Sequence, residues 1–143
     1  LPFPVHDRNF AMTATELVRA YYTALNAGDG SGLLAVLSED VVHDINQGER
    51  QMGKRTFAAF MDTRNRCYRE RLTDLVVMQN VEGDRAAAEF IVHGEYLASE
   101  DGLPAAHGQT YVLPAGAFFY IHFGKIARVS TYYNLNDWLE QVT

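Results

Sequence analysis

Residues 13–48 constrain the fold more than any other stretch, because they punctuate a helix at both ends and follow it with a turn, a short apolar helix and a strand. Leu17, Ala20, Tyr21, Ala24 and Leu25 recur at the spacing i, i+3, i+4, i+7, i+8, which lines them up as one stripe along a helix. Such a stripe has to be buried. Thr13 with Glu16 reads as a capping box, and Asn26-Ala27-Gly28-Asp29 supplies the residues that stop a helix and turn the chain. Tyr21 stands inside the apolar stripe, so its hydroxyl needs either a polar neighbour or a cavity once the ring is packed.

A chain of 143 residues with 48% hydrophobic side chains has apolar surface enough for one core, so a single domain is expected over 13–143. Residues 1–12 carry Pro2 and Pro4 and no periodicity, and read as an extended arm. The arm is either an upstream extension before a start at Met12 or a segment that packs on a neighbouring subunit. A net charge of -6 argues against nucleic acid and anionic membrane surfaces as partners and favours a small neutral or weakly polar ligand. The lone Cys67 cannot form an internal disulfide and no Cys/His spacing suits zinc, so a cytoplasmic location and no bound metal are expected. No apolar run reaches about 18 residues and no signal-peptide pattern opens the chain, so neither a membrane span nor processing is expected.

Residues 32–37 read as a short apolar helix and 40–46 as a strand. Residues 54–66 place Phe57, Phe60, Met61 and Arg64 on one face, the pattern of a third helix laid against a sheet. Strands are expected over 71–79 and 85–98, joined by a hairpin turn at Glu82-Gly83-Asp84. Alternation turns Ala88, Phe90, Val92, Gly94 and Tyr96 toward a cavity; Glu89, Ile91, His93 and Glu95 then face solvent, a second subunit or a reactive centre. Residues 99–108, with Gly102, Pro104 and Gly108, form an irregular excursion suited to a lid and carry His107 on an exposed loop. Strand segments 109–113 and 117–123 are expected to meet at a bend or bulge over Pro114-Ala115-Gly116. Residues 126–133 form the last strand and 134–142 a terminal segment anchored by Trp138 and Leu139. The expected class is α+β, with helices packed on a strongly curved mixed sheet and an apolar pocket between the layers.

Residues 19–29, 32–37 and 40–48 resemble the opening of the ketosteroid isomerase-related and polyketide-cyclase-like (SnoaL-like) proteins, and 85–96 and 125–134 resemble that family's later strands. The resemblance covers nearly all residues after Met12. It implies the cone-shaped nuclear transport factor 2-like fold, a small hydrophobic molecule as ligand, no cofactor, and a homodimer. For activity it implies an isomerase or cyclase that moves a proton on a small hydrophobic carbonyl compound. The fold also hosts proteins without chemistry, so a non-catalytic binder of small molecules and a dimeric protein-interaction domain are the alternatives.

In the isomerase relatives a tyrosine and a protonated aspartic acid donate hydrogen bonds to an enolate oxygen while an aspartate moves the proton. Tyr21 occupies the tyrosine position, either as that donor or as a core tyrosine satisfied by a neighbour. The ungapped register puts Ile45 at the base position and Asp44 one residue earlier, so Asp44 enters the pocket only if a bulge intervenes. In the plain register His43 shares the inward face with Ile45 and is either a neutral base or a packed histidine bonded to a neighbour. Gly116-Ala117-Phe118 stands where the second acid belongs. Asn134 lies where cyclase-like relatives place an acid, and asparagine exchanges hydrogen bonds but takes up no proton near neutral pH. Tyr21, His43, Asp44 and Asn134 are therefore the candidate catalytic residues. Ile45, Met61, Phe90, Val92, Phe118, Val129, Thr131 and Tyr133 are the candidate ligand contacts.

Overall fold

Thr13 caps α1 (Ala14–Ala27) in the way its spacing to Glu16 predicts. The Thr13 hydroxyl accepts from the Glu16 amide at 3.1 Å, and the Glu16 carboxylate accepts from the Thr13 amide at 2.9 Å. Gly28 ends the helix at φ 68°, a left-handed conformation that glycine adopts without a Cβ clash. Asn26 ties this end of α1 to the sheet, donating to the Leu72 carbonyl and accepting from the Leu72 amide, both at 2.9 Å.

The computed structural model describes residues 12–143, so the arm expected over residues 1–12 falls, but for Met12, outside the described residues. After α1 come α2 (Gly30–Ala35), β1 (Leu37–Ile45), the two-residue β2 (Gln51–Met52) and α3 (Lys54–Cys67). Then follow β3 (Tyr68–Gln79), β4 (Arg85–Tyr96), β5 (Gln109–His122), β6 (Lys125–Tyr133) and α4 (Leu135–Val142). The strands form one sheet in the order β2-β1-β6-β5-β4-β3, with β1 and β6 parallel and the other neighbours antiparallel. The architecture is thus α+β, helices packed on a mixed sheet. Pairing slips between Leu37 and Val42, between Thr73 and Val76, and between Tyr120 and Ile121, irregularities of the kind that bend and twist a sheet. Among the described residues no helix is long and apolar enough to cross a membrane.

Three strands differ from expectation, β3 in beginning at Tyr68 rather than at residue 71. β1 begins at Leu37, earlier than residue 40, because Leu37 is a core residue paired with Ile126. β5 runs unbroken through Pro114, where a bend was expected, and Pro114 stands opposite Ile91 with no slip in the pairing. Geometry explains the tolerance. β6 pairs with β5 only from Ala115 onward, and below that point Gln141 of α4 covers β5, accepting from the Val112 amide and donating to the Val112 carbonyl, both at 2.9 Å. Pro114 lies two residues from Val112, so its missing N–H faces the same side, beyond the end of β6, and no ladder bond is lost.

Candidate functional site

A cavity of about 290 Å³ opens between the inner sheet face and the helices. α1 contributes Tyr21, Tyr22 and Leu25, α3 contributes Phe60, Met61, Arg64 and Asn65, and α4 contributes Leu135 and Trp138. The sheet supplies His43, Ile45, Tyr68, Glu70, Phe90, Val92, Thr131 and Tyr133, and the loop after β4 adds Glu100 and Leu103. The walls are mostly aromatic and aliphatic, with polar groups at separated points.

One polar point combines β1 and α1. Pairing of β1 with β6 is regular from Val42 to Ile45, the slip lying earlier, so alternation puts His43 and Ile45 on the cavity side and Asp44 on the other. His43 is 5% exposed, stacked on Phe57 with ring centroids 4.2 Å apart and met edge-on by Phe60 at 4.9 Å. Burial lowers its pKa to about 4, outweighing the opposite pull of Asp44, so the imidazole is neutral at pH 7. Its Nδ1 is buried with no hydrogen-bond partner among the described residues. Tyr21, also 5% exposed, packs against the rings of Tyr22, Phe119 and Phe57 at 4.9, 5.9 and 6.4 Å. Burial alone pushes its pKa up, with no hydrogen bond contributing, so the hydroxyl stays protonated and able to donate.

A second polar point was not anticipated from the sequence. Arg64 of α3 pairs with Glu70 of β3 at 2.7 Å, and its guanidinium lies 4.1 Å from the centre of the Tyr68 ring. The Tyr111 hydroxyl donates to the other Glu70 oxygen at 2.5 Å, and the Tyr68 hydroxyl donates to Glu100 at 2.5 Å. Burial first, and then the neighbouring carboxylates, push both phenols up in pKa, so they remain donors. Glu70, Gly94 and Tyr111 form one row across β3, β4 and β5. Having no side chain, Gly94 lets the Tyr111 ring lie across it and reach Glu70. The signal was available: Tyr68, Glu70 and Leu72 alternate inward once β3 begins at Tyr68 rather than at residue 71.

Four expected site residues sit elsewhere. Asp44 faces away from the cavity, accepting from Arg50 at 2.7 and 2.9 Å and from the Ser130 hydroxyl at 2.9 Å. The Arg50 hydrogen bonds, chiefly, hold its carboxyl below the usual range. Asn134 is the N-cap of α4, its side-chain oxygen accepting from the Asp137 amide at 3.2 Å, which turns it away from ligand duty. Phe118 lies on the outer sheet face, because the unbroken β5 turns Leu113, Ala117 and Phe119 inward. Val129 faces inward but is wholly packed into the core, leaving no surface to the cavity. Ile45, Met61, Phe90, Val92, Thr131 and Tyr133 do line it.

The profile of the SnoaL-like domain matches residues 18–129. The chain belongs to the SnoaL-like family. Its fold superposes on a candidate polyketide cyclase from Pseudomonas putida KT2440 at 76% identity and TM-score 0.91, covering 92% of this chain and 99% of that one. A candidate polyketide cyclase from Xanthomonas campestris pv. campestris matches at 55% identity and TM-score 0.88, covering 91% and 96%. A third, from Silicibacter sp. TM1040, matches at 50% identity and TM-score 0.89, covering 92% and 96%. No curated protein matches. This SnoaL-like chain therefore has an aromatic-walled cavity on a scaffold it shares with candidate polyketide cyclases.

Proposed function

We propose that this SnoaL-like protein is a cofactor-independent enzyme, of isomerase or cyclase type, that moves a proton on a small hydrophobic carbonyl compound held in the aromatic cavity. One observation carries the reading: Tyr21 and His43 are both buried side chains that line the same cavity, and among the described residues neither makes a side-chain hydrogen bond. Buried polar groups ordinarily have partners, so an unpaired pair facing a cavity points to a ligand as the partner. In this mechanism the Nε2 lone pair of neutral His43 takes a proton from the carbon next to the carbonyl. The C–H electrons form the enolate double bond, and the carbonyl π pair moves onto oxygen, where the Tyr21 hydroxyl donates to the developing charge. The imidazolium then returns the proton to carbon.

Deuterium exchange into 2-tetralone, a compact bicyclic ketone with acidic α-protons, tests the chemistry in D2O by NMR. Exchange faster than buffer, lost in His43→Gln and slowed in Tyr21→Phe, is expected. No exchange above buffer sinks the enzymatic reading.

A second reading, a non-catalytic binder, is favoured by one feature. An imidazole with a pKa near 4 is a weak base, and among the described residues none braces its Nδ1 as a carboxylate braces the histidine of many catalytic pairs. In that case 2-tetralone binds without exchanging.

A further inference from the structure

We propose that the Arg64–Glu70–Glu100 end of the cavity recognises a neutral hydrogen-bond donor on the ligand, such as a hydroxyl, and rejects carboxylates even though an arginine lines it. The inference rests on the cavity being a small-molecule site, and it adds which polar group that molecule presents at this end.

An arginine in a greasy cavity usually signals an anion. Here its charge is already matched. Arg64 is paired with Glu70 at 2.7 Å, and Glu100 brings a second carboxylate to the same cavity with no further cation among the described residues that line it. His43, the other basic side chain of the lining, is neutral because it is buried. One arginine against two glutamates gives the described lining an excess of acidic side chains, and an added anion in this largely apolar cavity would lose hydration without gaining a counter-charge.

The hydrogen-bond inventory gives the same polarity. Glu70 has Arg64 on one oxygen and Tyr111 on the other, so it is held in place. Tyr68 spends its hydroxyl proton on one Glu100 oxygen and leaves the second oxygen of that carboxylate for a ligand donor. Tyr68 and Tyr111 are committed as donors to carboxylates, so what Glu100 itself still offers is an acceptor. Glu100 is positioned for this by its loop, since its amide donates to the Tyr96 hydroxyl at 3.0 Å and that hydroxyl donates to the Pro104 carbonyl at 2.7 Å. His43 is on β1 and Glu70 on β3, with β6, β5 and β4 between them in the sheet, so a ligand that meets both points carries its polar groups at opposite ends.

Trp138 is the single tryptophan of the chain and lines the cavity, so its indole N–H resonance reports occupancy. The probes are 4-propylphenol, 4-propylbenzoate and propylbenzene at pH 7, titrated against the full chain. The phenol should bind at least about tenfold more tightly than the benzoate, and Glu100→Gln should narrow that gap to about threefold or less by weakening the phenol and admitting the benzoate. Gln retains an oxygen for the Tyr68 hydroxyl, so the loop keeps its anchor; should the variant fail to fold, the ranking of the three probes by the unaltered protein decides. Equal or tighter binding of the benzoate overturns the inference. A Trp138 shift with propylbenzene and no gain from the phenol overturns it while leaving the small-molecule cavity intact. No shift with any of the three overturns both.

Discussion

Tyr111 lies across Gly94, so closely that a β-carbon on Gly94 would fall 2.2 Å from the tyrosine ring. The contact joins strand register to the site, because the ring passes over Gly94 to hold the Glu70 carboxylate that faces the cavity. Gly94→Ala should therefore displace Tyr111 and destabilise the fold by about 1–3 kcal/mol, the usual penalty of overpacking. In a Tyr111→Ala background the same change should cost little, since its clash is gone. Urea unfolding of the four proteins measures the coupling, and additive effects would show that the ring can move aside freely.

Acid stability should follow His43. Its folded pKa of about 4 lies below the ordinary 6.5, so between those values the unfolded chain binds the proton that the folded chain excludes. The stability contributed by burying the neutral ring is complete above about pH 6.5 and is lost as pH falls toward 4. That gap bounds the loss at roughly 3 kcal/mol. Asp44, whose folded pKa is also lowered, acts in a lower window, below 3.8. Unfolding free energies from pH 7 to 4 should decline in the unaltered protein and flatten in His43→Phe; equal slopes would disconnect His43 from the decline.

Phe118, expected to line the pocket, instead forms with Tyr132 an exposed aromatic pair on the outer sheet face. They are 54% and 39% exposed, with centroids 5.8 Å apart, and Val76, Met78 and Val112 extend the apolar surface. Exposed large apolar side chains gathered on one sheet face are the usual mark of a contact surface, and a second copy of the chain is the partner we expect. Light scattering at micromolar concentration should give a dimer, with Phe118→Glu shifting it to monomer and leaving probe shifts at Trp138 unchanged. A monomer at every concentration retires the homodimer.

The readable and unreadable parts of this chain differ for physical reasons. Caps and alternation are local, so Thr13, Glu16 and Gly28 bound α1, and the inward set Phe90, Val92, Gly94 and Tyr96 is legible from period two alone. Glu70 escaped because Cys67 ends α3 and Tyr68 begins β3 with no glycine, proline or asparagine to mark the change. Glu100 sits on a loop, where no periodicity exists to orient it. The Pro114 bend was misjudged because proline's effect depends on which neighbour its missing donor faces, a fact fixed by where β6 ends.

The sharpest test concerns the proton carrier on β1. Regular pairing from Val42 to Ile45 turns His43 to the cavity and gives Asp44 to Arg50 and Ser130, so the two adjacent residues should separate cleanly in function. His43→Gln should reduce deuterium exchange into 2-tetralone to the buffer rate, while Asp44→Asn should keep most of it, because the lost charge is partly exposed and lies across the sheet from the ligand. The rate should also hold as pH falls through 6.5 and drop only near 4, where the buried imidazole takes up its proton. A drop centred at 6.5 would mean that His43 is better solvated than its packing against Phe57 and Phe60 allows. Loss of exchange in Asp44→Asn with retention in His43→Gln would require β1 to slip by one residue in solution, bringing the carboxylate inward and sending Ile45 out.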